Sequence, residues 1–269
     1  MIPATVEHVR PSSLEEALEA LSDPDAKALA GGQSLLPVMK LRIVRPSVLV
    51  DIGRLELRSV HMDENELRLG ALTTWDQLES APDLKRAPLA AIAECAAEIG
   101  DLQVRNRGSL GGSLAHADPA SDMPAVVLAL GAQLVLHSAA AERTLSAAEF
   151  FLGPFTTALA PGELITEVVF PLVEGSGSAY VKVEHPASGF ALAGAAAHVS
   201  ENGKQRVVAV TGVGAHPFLL PAGAEPLDAL AEAEIYGDRF APAEYRRHLA
   251  GVVVRRALDR ALERMEKGR

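Results

Sequence analysis

Two glycine-rich segments constrain this chain more than anything else in it: Leu29-Ala-Gly-Gly-Gln-Ser-Leu-Leu-Pro37, and Arg105-Asn-Arg-Gly-Ser-Leu-Gly-Gly-Ser-Leu-Ala-His-Ala-Asp-Pro-Ala-Ser-Asp122. Each sets adjacent glycines beside small hydroxyl residues, Gly31 and Gly32 with Ser34, Gly111 and Gly112 with Ser109 and Ser113. Glycine lets a backbone approach a ligand closely and take positive φ, so two such loops can lay N–H groups and hydroxyls on a phosphate from two sides. Either segment alone reads equally well as a tight turn that only glycine fits. The pair, followed by the acidic Asp122, points to a pyrophosphate.

The common nucleotide motifs do not fit. Gly31-Gly32 lacks the Gly-Lys-Ser/Thr ending with which a P-loop reaches a terminal phosphate, and Gly108-Ser-Leu-Gly111-Gly112 lacks the G-x-G-x-x-G order of a Rossmann turn. The expected site is bipartite and built from loops.

Length and composition narrow the rest. The 269 residues, 48% hydrophobic and 22% charged, can bury a substantial core as one domain or as two to three lobes. A net charge of −10 and an aromatic content of 4% argue against nucleic acid, which wants cations and stacking rings. The lone cysteine, Cys95, permits no disulfide within the chain and no four-thiolate cluster; in the run Leu89–Ala97 it reads as core. His116 and Asp118 share the second glycine segment with no further ligands nearby, so no metal is expected in this chain. The start Met-Ile-Pro-Ala-Thr-Val-Glu7 has no basic region leading into an apolar stretch, and no apolar run approaches the ~20 residues of a bilayer span. The expectation is a cytoplasmic protein with no transmembrane segment.

Along the chain, Ser13-Leu-Glu-Glu16 reads as a capping box opening a helix on Leu14, Leu18 and Leu21, stopped by Asp23-Pro24-Asp25. Lys27–Ala30 and Val48–Ile52 read as strands, giving a β–α–β start. Glu66–Gly70 alternates like a half-wet strand. Thr74–Gln77 is a second capping box, and Pro88 opens a helix to about Glu98. Residues 100–108 read as a passage into the second glycine loop, Pro124–Leu130 as a buried helix and Gln133–His137 as a strand. Glu174–Ser178 reads as a flexible linker, followed by strands at Ala179–Glu184, Ala191–Ser200 and Val207–Gly214. Helices close the chain over 226–234 and 243–267. In the last, Leu249, Val252, Val253, Ala257 and Leu262 make the apolar face, with Arg255, Arg256, Arg260 and Arg264 solvated. Short strands alternating with helices indicate an α+β fold.

Ala30–Leu35 and Arg107–Asp122 resemble the two FAD-pyrophosphate loops of the flavoprotein (medium) subunit of molybdenum hydroxylases, the family of aerobic-type carbon monoxide dehydrogenase and xanthine dehydrogenase. The likeness continues through Tyr180–Ala191 and ends in Ala243–Ala257, similar to the family's closing helix. It implies a two-lobed FAD-binding module of the PCMH, vanillyl-alcohol-oxidase-like type, with lobes at 1–55 and 56–171, and a C-terminal flavoprotein lobe at 172–269. It also implies partners: a small subunit with two [2Fe–2S] clusters and a large subunit with the molybdenum cofactor, arranged as a dimer of heterotrimers. In that setting this chain passes electrons through FAD to an external acceptor. A self-contained flavoenzyme, using His185 or Lys182 over the ring, and a scaffold that has lost the cofactor are the alternatives.

By the same resemblance, the cofactor contacts are Ala30, Gly31, Gly32, Gln33, Ser34 and Leu35 on one side and Ser109, Gly111, Gly112 and Ser113 on the other. Many relatives carry histidine at the place of Gln33; glutamine forms no histidyl–flavin bond, so the FAD is expected to be noncovalent. Ser113 stands where asparagine is frequent. Asp122 either accepts from cofactor hydroxyls or caps the helix at Pro124. Lys182 is either a cation at the flavin end or an exposed strand lysine. Phe190 aligns with the residue covering one ring face, preceded by Gly189 where some relatives place an acid. Ile165 either packs on the cofactor or is plain core. No catalytic residue is expected.

Overall fold

A computed structural model describes residues 3–268. Strands β1 (Glu7–Val9), β2 (Lys27–Leu29) and β3 (Val48–Asp51) form a parallel sheet in the order β1-β3-β2. Parallel neighbours need crossovers, and helices α1 (Leu14–Ala20) and α2 (Leu35–Lys40) supply them. Ala17, Leu18, Val50 and Ile52 close the core of this unit with Leu72 and Leu164. Ser13 caps α1 as expected, but the Glu16 carboxylate reaches back to the N–H and hydroxyl of Ser12, so the reciprocal half of the box is displaced by one residue.

The second sheet is antiparallel. It is built from β4 (Val60–Met62), β5 (Glu66–Gly70), β6 (Gln133–His137), β7 (Glu142–Ser146) and β10 (Leu164–Pro171), in the order β4-β5-β10-β6-β7. A small hairpin, β8 (Phe151–Gly153) with β9 (Thr156–Thr157), follows α8 (Ala147–Phe150). Between β5 and β6 run α3 (Trp75–Ser80), α4 (Ala90–Ala97), α5 (Leu102–Arg107), α6 (Leu110–His116) and α7 (Met123–Ala129). Leu67, Leu69, Trp75, Leu110, Met123, Leu134 and Phe170 belong to one buried cluster.

Two segments expected as loop are helices. Residues 102–107 are helical, opened by Asp101, whose carboxylate accepts from the Val104 N–H. The second glycine segment is likewise a helix, with Ser109 as its N-cap and Gly111 and Gly112 in its first turn. Glycine's low helix propensity hides such a helix in sequence, and tertiary packing overrides it.

The third sheet, also antiparallel, runs β11 (Gly177–Glu184), β12 (Ala191–Ser200), β13 (Gln205–Thr211) and β14 (Phe218–Leu219) in that order. Helix α9 (Pro226–Glu232) precedes the long α10 (Ala243–Lys267), which packs with this sheet in a cluster of its own. Residues 176–178 are no linker: all three are buried, and a Cβ on Gly177 would lie 2.1 Å from the Ala261 carbonyl oxygen. On α10, Val254 rather than Val252 joins Leu249, Val253 and Ala257 in the core. Arg260 and Arg264 are not simply solvated. Both pair with Glu94 on α4, and Arg264 also donates to the Ser178 carbonyl oxygen. Burial pushes the Glu94 carboxyl up, but the Arg264 hydrogen bond and the Tyr180 N–H together outweigh it and hold the group below its usual value.

Candidate cofactor site

The two glycine segments touch. A Cβ on Gly31 would lie 2.0 Å from the Arg107 carbonyl oxygen and 3.0 Å from Gly108 Cα, so the first segment lies directly on the Arg107–Gly108 peptide. Gly112 faces it from α6, with Ala30 Cβ 3.8 Å from where its own Cβ would stand. Gly32 takes φ +75°, a left-handed turn that aims the following peptides. Among the described residues, no group accepts from the N–H of Gly31, Gly32, Gln33, Ser34 or Leu35. Ser34 is the N-cap residue of α2, yet its hydroxyl makes no cap bond. The Gln33 amide folds back to the Gly31 carbonyl at 3.3 Å. A run of consecutive free N–H groups beside a spare hydroxyl is a surface that wants anionic oxygens.

The second wall is α6. Ser109 is buried, and its Oγ is a polar atom with no partner. Such an orphan is costly unless a ligand completes it. Ser113 Oγ lies 3.0 Å from Ser121 Oγ, which adds a hydroxyl that the sequence reading did not single out. Gly111 departs from its expected role. Its N–H is taken by the Ala71 carbonyl at 2.8 Å, and a Cβ there would sit 2.6 Å from Ala71 Cβ. It packs α6 against the end of β5.

Asp122 stands at the N-cap position of α7, but its side chain makes no cap bond. Both oxygens turn elsewhere: Tyr180 OH donates to one, and Lys182 Nζ donates to the other at 3.0 Å. Tyr180 and Lys182 share one face of β11 at i, i+2 spacing, so the alternation of a strand brings both to the same carboxylate. That spacing was the available signal for Tyr180, which the sequence reading missed. Lys182 is not an exposed strand lysine. Its side chain is 1% exposed, and its ammonium also donates to the carbonyls of Glu98 at 2.6 Å and Gly189 at 2.7 Å. Burial pushes the Asp122 carboxyl up to about 6, more than the Lys182 charge and the Tyr180 hydrogen bond pull it down.

Gly189, at φ +71°, ends the turn that presents Phe190, which is 46% exposed. Ile165 lies in the core beside Leu136 of β6 and is a packing residue. The site is thus a polar track. It runs from the free N–H groups at 31–35, through Ser109, Gly112, Ser113 and Ser121, to the buried Asp122–Lys182 pair and the Phe190 turn.

Such a track, with an anion cradle at one end and an exposed ring at the other, fits a dinucleotide. Residues 4–173 match the family described as FAD binding domain in molybdopterin dehydrogenase. The chain belongs to that family. It is 37% identical to the carbon monoxide dehydrogenase medium chain of Hydrogenophaga pseudoflava, over 98% of this chain and 99% of that one. It is 42% identical to the glyceraldehyde dehydrogenase medium chain of Sulfolobus acidocaldarius, over 76% of this chain and 73% of that one. The solved carbon monoxide dehydrogenase from Hydrogenophaga pseudoflava lacking the Mo-pyranopterin moiety superposes with a TM-score of 0.91 at 36% identity, covering 98% and 99% of the two chains.

This flavoprotein is an FAD-binding oxidoreductase subunit of the molybdenum hydroxylase type, with the α+β fold of the carbon monoxide dehydrogenase medium chain; its relatives are named as chains or subunits of multi-subunit enzymes. Among the described residues no group of three or more His, Cys, Asp or Glu is placed to hold a metal ion, and no helix is long and apolar enough to cross a membrane.

Proposed function

We propose that this chain is the electron-transfer subunit of a heterotrimeric molybdenum hydroxylase, taking electrons from [2Fe–2S] clusters on a small partner and handing them to an external acceptor. A large partner carries the molybdenum cofactor and oxidises the substrate, the assembly being a dimer of heterotrimers in the cytoplasm. The division into lobes at 1–55, 56–171 and 172–269 belongs to the same proposal; each span supplies most of one hydrophobic cluster, while Leu72 and Leu164 join the first lobe's core and Tyr180, Ala196 and Ala209 join the second's. The observation that carries the reading is the contact of Gly31 with the Arg107–Gly108 peptide beside free N–H groups and the orphan Ser109 hydroxyl.

Bound FAD supplies the redox chemistry, accepting and releasing electrons one or two at a time. The protein's part is to hold it. The N–H groups of Gly31–Leu35 and the Ser34 and Ser109 hydroxyls bind the diphosphate, Gly112 leaves room for it, and Ser113 and Ser121 line the path onward. Asp122 accepts from cofactor hydroxyls while Tyr180 and Lys182 fix its position. The exposed Phe190 covers one ring face. Substrate choice lies elsewhere, in keeping with two relatives of similar likeness that are named for carbon monoxide and for glyceraldehyde. The self-contained flavoenzyme is disfavoured because its two candidate bases are occupied: Lys182 has three acceptors, and His185 meets Phe240 edge-on while its Nδ1 accepts from the Ala187 N–H and lies 3.2 Å from Ser188 Oγ.

Two outcomes are expected of the purified chain. Acid precipitation releases its flavin into the supernatant, because Gln33 offers no covalent link; yellow, flavin-bearing pellets would contradict this. In stopped-flow absorbance, organic substrate alone leaves the flavin band oxidised, and adding the iron–sulfur and molybdenum subunits brings rapid bleaching. Rapid bleaching by substrate with this chain alone would instead make it a self-contained enzyme.

A further inference from the structure

The cradle that holds the diphosphate is electrically neutral. It consists of backbone N–H groups and serine hydroxyls, while the chain as a whole carries a charge of −10. A diphosphate brings two negative charges into that field and calls for a counter-ion.

The nearby cations are mostly committed. Lys182 is enclosed by Asp122 and two carbonyls, Arg105 faces Glu79 at 3.0 Å and donates to the Ile99 carbonyl, and Arg10 is paired with Asp51. Arg107 is different. It is the last residue of α5, its side chain is exposed, and it has neither a hydrogen bond nor an ion pair with any described residue. Its own carbonyl oxygen is the atom nearest to a Cβ built on Gly31, so its Cβ stands three bonds from the point where the glycine segments meet.

Resting on the FAD reading above, we propose that Arg107 is the counter-ion of the bound diphosphate, closing over the phosphate oxygens that the Gly31–Leu35 N–H groups hold from the other side. A guanidinium suits this task because its fork of donors matches two phosphate oxygens at once and keeps its charge at any working pH. The interaction is a clamp on the phosphates and leaves the flavin ring untouched.

The test is a fluorescence titration of the full-length apoprotein with FAD at several KCl concentrations, repeated with ADP as displacing probe and with riboflavin, which has no phosphate. Arg107→Gln is expected to raise the Kd for FAD and for ADP roughly tenfold, and to flatten the rise of Kd with salt. Riboflavin binding stays as in the wild type. Arg107→Lys recovers most of the salt dependence and part of the affinity, whereas Arg255→Gln, on the exposed side of α10, changes neither. Circular dichroism of each variant confirms a native fold. An unchanged FAD affinity and salt slope in Arg107→Gln, with tight wild-type binding, overturns the clamp alone. A loss that Lys does not rescue and that leaves the salt slope intact also overturns it, because that pattern is packing. A wild-type chain that binds no FAD overturns the underlying reading instead.

Discussion

A Gly31→Val chain is expected to purify without flavin. The Cβ it introduces would stand 2.0 Å from the Arg107 carbonyl oxygen and 2.7 Å from the carbonyl carbon. Both are backbone atoms at the end of a helix and cannot rotate aside, so the two glycine segments must part. Overpacking of this kind costs about 1–3 kcal/mol of stability, which leaves a folded chain. The cofactor loses more. An opened cradle no longer presents its N–H groups and the Ser109 hydroxyl to one diphosphate, and a fall in FAD affinity on the order of 100-fold, about 2.7 kcal/mol, follows. Gly32→Val should do less, because its Cβ would meet the movable Leu36 side chain and the main cost is its φ of +75°. Gly251→Ala, with nothing within 4 Å, is the control that keeps its flavin. Flavin content per polypeptide and FAD titration give the comparison; a Gly31→Val chain with stoichiometric flavin would move the diphosphate site elsewhere.

The second large effect concerns Lys182. Replacing it by methionine leaves the Asp122 carboxyl buried without a cation and removes the donor from the Glu98 and Gly189 carbonyls. Breaking a buried pair by removing one partner costs about 3–5 kcal/mol. The cost depends on pH. Asp122 in the folded wild type is raised from the ordinary 3.8 to about 6, so its contribution to stability is full below 3.8 and is lost as pH climbs through 6. Without the ammonium its folded value rises further, and the loss continues to higher pH. The deficit of Lys182→Met is therefore small near pH 4, about the value of the two carbonyl bonds, and widens towards about pH 8. Urea melts of both proteins across that range measure it. A deficit independent of pH would mean that Lys182 and Asp122 do not act as an ion pair.

Much of this was legible in the residues. Capping chemistry gave the start of α3 to the residue, because Thr74 and Gln77 bond reciprocally as their spacing requires. The helix α10 stood out through the spacing of its apolar face, and the segments of β11 and β12 read as strands. What stayed hidden depended on contacts far along the chain. Strand β10 reads Leu-Ile-Thr-Glu-Val-Val-Phe-Pro, nearly continuous and apolar, because it lies between two neighbours and is buried along most of its length. That run has no alternation to announce a strand. In the site, the glycines were visible because only glycine fits at Gly31, but nothing local separates Gly111, which packs on Ala71, from Gly112, which faces the Ser109 hydroxyl and Ala30. The burial of Lys182 was equally hidden, since its three acceptors come from the C-cap of α4, the N-cap of α7 and the turn before Phe190.

The placement of β10 also governs the order in which this protein can assemble. Its residues pair with β5 on one side, Gly70 opposite Glu167, and with β6 on the other, Leu134 opposite Val168. Both neighbours leave the ribosome first and wait, unpaired along their inner edges, for a strand made much later. Closing so long a loop is entropically slow, and exposed edges invite mispairing in the interval. The two halves of the diphosphate cradle are synthesised before that strand, whereas Tyr180, Lys182 and Phe190 come after it. On the proposed site, flavin capture is a late event in biogenesis: a nascent chain short of the Phe190 turn carries both glycine segments and still has no complete place for the cofactor.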